Sequence, residues 1–536
     1  MKALYPKKTG TMIKTQFELR QKRQNPQSSS LNKLILIFIL FLGIYENASY
    51  AQTTYTWANP AAGGAWTTST NWSPSTGTPI TGDNVIINPT TAITISAVPA
   101  ISINQFTVTT AATGRNVTLT ATSAGTTFSI GNSSVGNGTM TTAGGANGSN
   151  IIAGTNLIFS FANNSNYVHN INGGIIPTAT WQAGSTCQIT GITNTFPISP
   201  SFGQTFGNIL WNCPSYTTIN AVGNIVTANL PAQVNGTFEI RNTGGTNILD
   251  LSNLGTRTWA GNILVSGGRI ALLRSTIASM NLTVNNFTVN DGGGVGTNSS
   301  VFFNNSSAGS SIANLTVNGD FTVNPTNNVA SILRFSGVSS NTFNLNVKKN
   351  FSWSNGTASS AGGTNNITFN GTTSQTYSTF NNLAITSNVI IAANAIVDLG
   401  TNIFGNTGTF LLNSAATLIT GNTNSTGALL TSTAFGSVQS TSTRTFSTGA
   451  NYQYNGAAAQ FTGNGLNQNT PANLTISNSF GVTLTGSTAM SGILNLAGGN
   501  LTLGTSNLTL GGAATVLGTF SNTAMVALNG SLSGGQ

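Results

Sequence analysis

The sequence predicts an all-β fold: an elongated parallel β-helix or β-solenoid, with an N-terminal aromatic cap after a signal peptide. Three observations carry this. One phrase recurs with variations, as NLTVNNFTVND at 281–291, NLTVNGDFTVNP at 314–325, NLNVKKNFSWSNG at 344–356, NITFNG at 366–371, NLTISNSFGVTLTG at 473–486 and NLTLGTSNLTLGG at 500–512. Each copy alternates apolar and polar residues and ends in an Asn- and Gly-rich turn, the signature of short strands in a stacked array. The copies start 33, 30 and 22 residues apart at Asn281, Asn314, Asn344 and Asn366, which fits coils with loops of varying length. Sandwich domains would repeat at roughly 90–100 residues.

The chain begins with a basic leader and the uncharged run Leu34–Ile44, followed by the small-x-small site Ser49-Tyr50-Ala51 before Gln52. Residues 1–51 therefore read as a signal peptide cleaved between Ala51 and Gln52, with Met12 as an alternative start. Eight of the 17 basic residues lie before residue 34, so the formal charge of +9 belongs mostly to the leader. From Gln52 on, nine basic residues face six acids, and only Lys348-Lys349 are adjacent. Phosphate neutralisation needs clustered Arg and Lys, which excludes nucleic acid as a partner. No later run is long and apolar enough for a transmembrane segment in the mature chain.

Residues 52–90 hold three of the seven tryptophans, Trp57, Trp66 and Trp72, and a Gly82-Asp83 turn before the strand Val85-Ile86-Ile87. Bulky aromatics at one end of a β-stack suit a cap over the first coil; an aromatic sugar platform is the competing reading. Solenoid repeats then run from 91 to 536. The runs LIFSF at 157–161 and VIIAANAIVDLG at 389–400 are nearly continuous in apolar residues and read as strands buried on both faces. A coil of about 22 residues loses on the order of 20–40 kcal/mol of backbone freedom and recovers about 6–15 from its inward side chains. Neighbouring coils must therefore complete each ladder, and asparagines stacked at the turns would add side-chain ladders. The repeats reach Gln536 without a new aromatic cluster, the pattern of an uncapped or truncated solenoid.

Few residues can carry chemistry. Cys187 and Cys213, 26 residues apart, fit either a disulfide between neighbouring coils or two buried thiols. Glu239 and Asp250, with Arg241 between them, are the closest acid pair; a surface ion pair and a turn carboxylate explain them better than a catalytic dyad. His169, the lone histidine, reads as a solvated turn residue, and Asp291-Gly-Gly-Gly lacks the repeat of a calcium nonapeptide. No cofactor or metal is expected. Thr107-Val108-Thr109 and Thr118-Leu119-Thr120 suit the solvent side of a strand, with ice or water ordering as the sharper alternative.

The segment Gly64-Ala65-Trp66 to Asn71-Trp72-Ser73-Pro74, followed by Pro79, Gly82-Asp83 and Val85-Ile86-Ile87, resembles the N-terminal start of large secreted surface proteins of Bacteroidetes-type bacteria. The stretch from Ala450 through NLTLGG resembles their repeats. The resemblance implies an adhesin-like extracellular protein, of the kind usually exported by type IX secretion and finished with a C-terminal sorting domain, which this sequence does not show. The expectation is a non-catalytic surface protein whose partners are glycans or other cell-surface components. A secreted polysaccharide-binding protein, or a lyase or hydrolase on the same fold, is the alternative.

Overall fold

The computed structural model describes residues 52–518 except 111–113, 132–136, 145–149, 198–201, 218–229, 246, 253–254, 276–277, 291–298, 307–309, 326–331, 380–385 and 512. The leader with Ala51, the Asp291 glycine run and the last eighteen residues lie outside the described residues.

The repeated phrase forms strands, and the strands form ladders. One sheet of 20 strands serves as the spine. Thr54–Trp57 pairs in parallel with Asn84–Ile87, which pairs with Gln105–Thr110, and the sequence continues rung by rung to Thr515–Leu517. Trp72–Ser73 joins the first rung antiparallel. Successive rungs are 20 residues apart at Leu474 and Leu494 and 34 apart at Phe287 and Phe321. Between rungs the chain turns through two further faces. A five-stranded sheet runs from Leu249–Asp250 to Thr357–Ser359, and an eight-stranded one from Thr256–Thr258 to Arg444–Phe446. No α-helix occurs among the described residues. This is a parallel β-helix, as the phrase spacing predicts.

Alternation decides which side chains enter the coil. In Ile312–Val317, Ala313, Leu315 and Val317 are buried while Ile312, Asn314 and Thr316 face outward. Inside, register places like on like: Phe287, Phe321, Phe351 and Tyr377 stack at centroid distances of 5.7, 5.3 and 5.4 Å. Each ring gains both burial and an aromatic contact from the coils above and below.

Outside, amides do the stacking. Asn314 donates to the Oδ1 of Asn281 (2.6 Å), Asn344 to Asn314 (2.7 Å), Asn366 to Asn344 (2.7 Å) and Asn388 to Asn366 (2.9 Å). Thr256 Oγ1 accepts from Asn281 at one end, and Thr409 Oγ1 donates to Asn388 at the other. The expected ladder therefore exists, but on the strands. An outward strand position repeats in register with every coil, whereas the turns vary in length.

Two further expectations are corrected. Residues 157–161 are not buried on both faces: Ile158 is 45% exposed, because a solenoid strand has one inner side only. The same alternation holds in Asn388–Ile391. Within residues 52–90, Thr54–Trp57 and Asn84–Ile87 are the first rungs of the spine. The spine also steps sideways once. In Ser374–Thr379 the last three residues pair back to Phe351–Trp353 and the first three pair forward to Ile396–Asp398.

Candidate functional site

The residues singled out by sequence are scattered along the stack. Trp57, Trp66 and Trp72 are all buried; Trp72 packs edge-on against Trp57 at 4.9 Å and against Trp66 at 4.8 Å. Their indole nitrogens donate to backbone carbonyls of Asn59, Pro79 and Trp66 respectively. Buried rings offer no face to a sugar. The Asp83 carboxylate accepts from the amides of Thr53 (3.0 Å) and Ile80 (2.9 Å), fastening the first rung to the turn before the second.

Cys187 and Cys213 are free, buried thiols. Register seats Cys187 beside Ile209, so Cys213 lies four residues further along the next rung. At about 3.3 Å per residue that offset is well beyond disulfide reach. The coils are adjacent, but the positions along them are not. Burial pushes the Cys213 thiol up to about 12 and raises Cys187 as well, so neither is a nucleophile.

Glu239 and Asp250 are not brought together as an acid pair. Glu239 lies on the outer face of the spine, where Arg241 grips it through Nε (2.9 Å) and a second nitrogen (3.0 Å). Asp250 is buried on a different sheet, its Oδ1 accepting from the amide and hydroxyl of Ser252. Among the described residues no three of His, Cys, Asp and Glu stand close enough to share a metal.

His169 is not a solvated turn residue. It points into the coil from the strand Asn166–Asn170 and is fully buried. Tyr167 Oη lies 3.0 Å from its Nδ1, and its Nε2 lies 2.7 Å from the Gly173 carbonyl. Thr142 Oγ1 lies 3.0 Å from the same phenol. A neutral imidazole donating from Nε2 satisfies both nitrogens. Burial holds its pKa down to about 4, against a smaller upward pull from the Gly173 carbonyl.

The threonine pairs form no extended array. Thr107 stacks between Ile86 and Thr141, and Thr118 between Thr94 and Ile152.

A built cleft lies where no residue was singled out. Between Thr417–Thr420 and Arg444–Phe446 no extended strand forms over residues 421–443, although Val438 bridges in parallel to Phe404 and Ala428, Leu429 and Val438 remain in the buried core. Arg444 helps to hold this segment. It occupies the inward position next to Phe410, is 5% exposed, and donates to the carbonyls of Ser440 (2.8 Å), Leu430 (3.0 Å) and Thr433 (2.6 Å). Three carbonyls of one loop converge on a single cation. Further ties run to the next coil: Ala428 donates to the Phe461 carbonyl, and Thr431 and Asn464 exchange hydrogen bonds at 2.9 Å. Gly427, at φ +140°, lies so close to Gly463 that any Cβ would sit 2.3 Å from its Cα, so both strands of this crossing need glycine.

This segment and the turn after Ile396–Asp398 enclose a shallow cleft of about 360 Å³, lined by Thr401, Ile403, Asn422, Thr423, Phe435 and Gln439 among others. Phe435 is 53% exposed. The Asn422 Oδ1 accepts from the Asn424 amide and the Asn424 Oδ1 from the Thr426 amide, both at 2.9 Å. Gln439 Nε2 donates to the Gly436 carbonyl. Those bonds fix the side chains while the Nδ2 groups of Asn422 and Asn424, the hydroxyls of Thr401 and Thr423, and Gln439 Oε1 have no protein partner among the described residues.

One sequence signal points to this region: after Asp398 the chain has a single charged residue, Arg444. A second motif also passes unremarked in the repeats, N-G-x-x-x-Q at 370–375 and 455–460. Gln375 and Gln460 are buried, each accepting at 2.7 Å from the glycine amide four residues back. Each also donates to two carbonyls of the preceding coil.

Compared with protein-family models, curated proteins and solved structures, the chain matches none.

Proposed function

We propose that this chain is an exported, non-catalytic β-solenoid acting as an adhesin-like or structural component of the outer cell surface. The observation that carries the reading is how the polar groups are distributed. Hydroxyls and amides repeat along the outer faces, while the best acid pair is divided between an ion pair on the outer face of the spine and a buried strand end on another sheet. General acid–base catalysis of glycan cleavage needs two carboxyl groups within roughly 5–10 Å of one another and open to substrate. The apolar run before Ala51 supports export, and the resemblance to Bacteroidetes-type surface proteins supports the surface location.

Protease treatment of intact producing cells, followed by mass measurement of the released protein, tests this. Release from unbroken cells is expected. A protein protected until lysis would overturn the reading.

A further inference from the structure

We infer that the cleft beside Phe435 is a saccharide site, and that its ligand is a neutral glycan. This inference rests on the reading of the chain as a non-catalytic binding surface and assigns that surface one focused position.

A sugar ring presents an apolar C–H face and a rim of hydroxyls, so a site for it needs an exposed aromatic ring and unspent donors and acceptors around it. The cleft supplies both. Phe435 is 53% exposed on a well-tied loop. The amide groups of Asn422 and Asn424, the Thr401 and Thr423 hydroxyls and Gln439 Oε1 are the uncommitted polar atoms. The side chains of Asn422, Asn424 and Gln439 are already held by their own hydrogen bonds, so little ordering of these three is required on binding.

Charge selects the class. No ionisable residue lines the cleft, and the only charged residue beyond Asp398 is Arg444, whose guanidinium is buried on three carbonyls. A uronate or sulfated glycan would lose its hydration here and meet no counter-charge, whereas a neutral one exchanges water hydrogen bonds for amide and hydroxyl ones. The ladder of Asn281, Asn314, Asn344, Asn366 and Asn388 makes a poor alternative site, because these amides already donate to one another or to Thr256.

The test is titration of the full chain with neutral oligosaccharides (cello-, xylo-, manno-, malto- and chito-oligomers) and with oligogalacturonate, followed by calorimetry and ligand-observed NMR. The expected result is one-to-one binding of at least one neutral oligomer, unchanged by 0.5 M salt as an order-of-magnitude screen of charge. Phe435→Ala should weaken that binding at least tenfold and Thr423→Val several-fold. Phe480→Ala, at a 64% exposed aromatic elsewhere, should leave it unaltered. Failure of every neutral oligomer to bind, or binding only of oligogalacturonate, would overturn the inference. So would neutral binding that survives Phe435→Ala, although that outcome would leave the broader binding-surface reading standing. If Phe435→Ala instead abolished only capture of a purified protein partner, the cleft would be a protein-docking site and the inference would fail.

Discussion

Asn281, Asn314, Asn344, Asn366 and Asn388 each give their amide to the coil before them, whereas between Gly421 and Thr443 the amides of Asn422 and Asn424 face a cleft with no protein partner among the described residues. The two stretches share a composition of Asn, Thr, Ser and Gly. In the first, order comes from repetition, because every rung supplies the partner that the next one needs. In the second, the regular strands give way to backbone ties at Ala428, Leu429 and Val438, and one buried cation collects the carbonyls of Leu430, Thr433 and Ser440. A ladder that satisfies itself leaves few of its own amides for a ligand. A segment held in these other ways can leave polar groups free.

That contrast is most severely strained in the core. Phe321 lies between Phe287 and Phe351 in the ring stack, and Phe321→Ala should destabilise its neighbourhood by about 4 kcal/mol. The loss should spread to the coils on either side, measurable as a lowered denaturant midpoint together with lost amide protection at 282–289 and 345–353. A loss confined to one coil would mean that the coils are more independent than the shared ladders imply.

Acid should act at the other end of the stack. His169 has its folded pKa depressed from 6.5 to about 4 by burial, so the fold favours the neutral ring. This contribution is complete above pH 6.5 and is lost as pH falls from there through about 4, where the unfolded state takes up the proton first. The shift corresponds to about 3 kcal/mol. Tyr167 and Cys187, the titratable groups packed near it, have pKa values raised by burial and stay neutral across this range. Hydrogen exchange of residues 139–190 at pH 7 and pH 4.5 should show the loss, and His169→Gln should flatten it.

Removing Arg444 as Arg444→Met should cost about 3 kcal/mol locally, since several buried carbonyls lose a charged donor. Limited proteolysis should then cut within 421–443. The smallest effect is expected from Asn344→Ala, which removes two links of the ladder and costs about 1–2 kcal/mol without opening any segment. A thermal melt of that variant, shifted by a few degrees at most, checks it.

How much of this the sequence carried depends on periodicity. The parallel stack was legible because Leu282, Leu315, Leu345 and Ile367 recur at the same place in the same phrase, and such positions pair in register. The asparagine ladder was legible as chemistry, but its place on the strands was not, because the phrase puts asparagine both before the strand and in the turn after it. His169 was misread because polar neighbours suggest a turn, while its inward direction depends on parity within a strand whose ends the sequence does not mark. Cys187 and Cys213 lie on neighbouring coils, yet their offset follows from where each rung begins. The cleft was invisible for a different reason: residues 421–443 resemble loop filler in composition, and they are organised by backbone ties to both neighbouring coils and by Arg444 on carbonyl oxygens, contacts that carry no sequence signature.

The most direct measurement is native-state hydrogen exchange on Arg444→Met beside Asn344→Ala and the unaltered chain. The account predicts that Arg444→Met exposes the amides of Ala428, Leu429 and Thr431 while the strands from 312 to 391 keep full protection. It predicts that Asn344→Ala weakens protection only mildly and leaves 421–443 unchanged. An Arg444→Met chain with residues 421–443 still protected, or with protection lost along the whole spine, would contradict it.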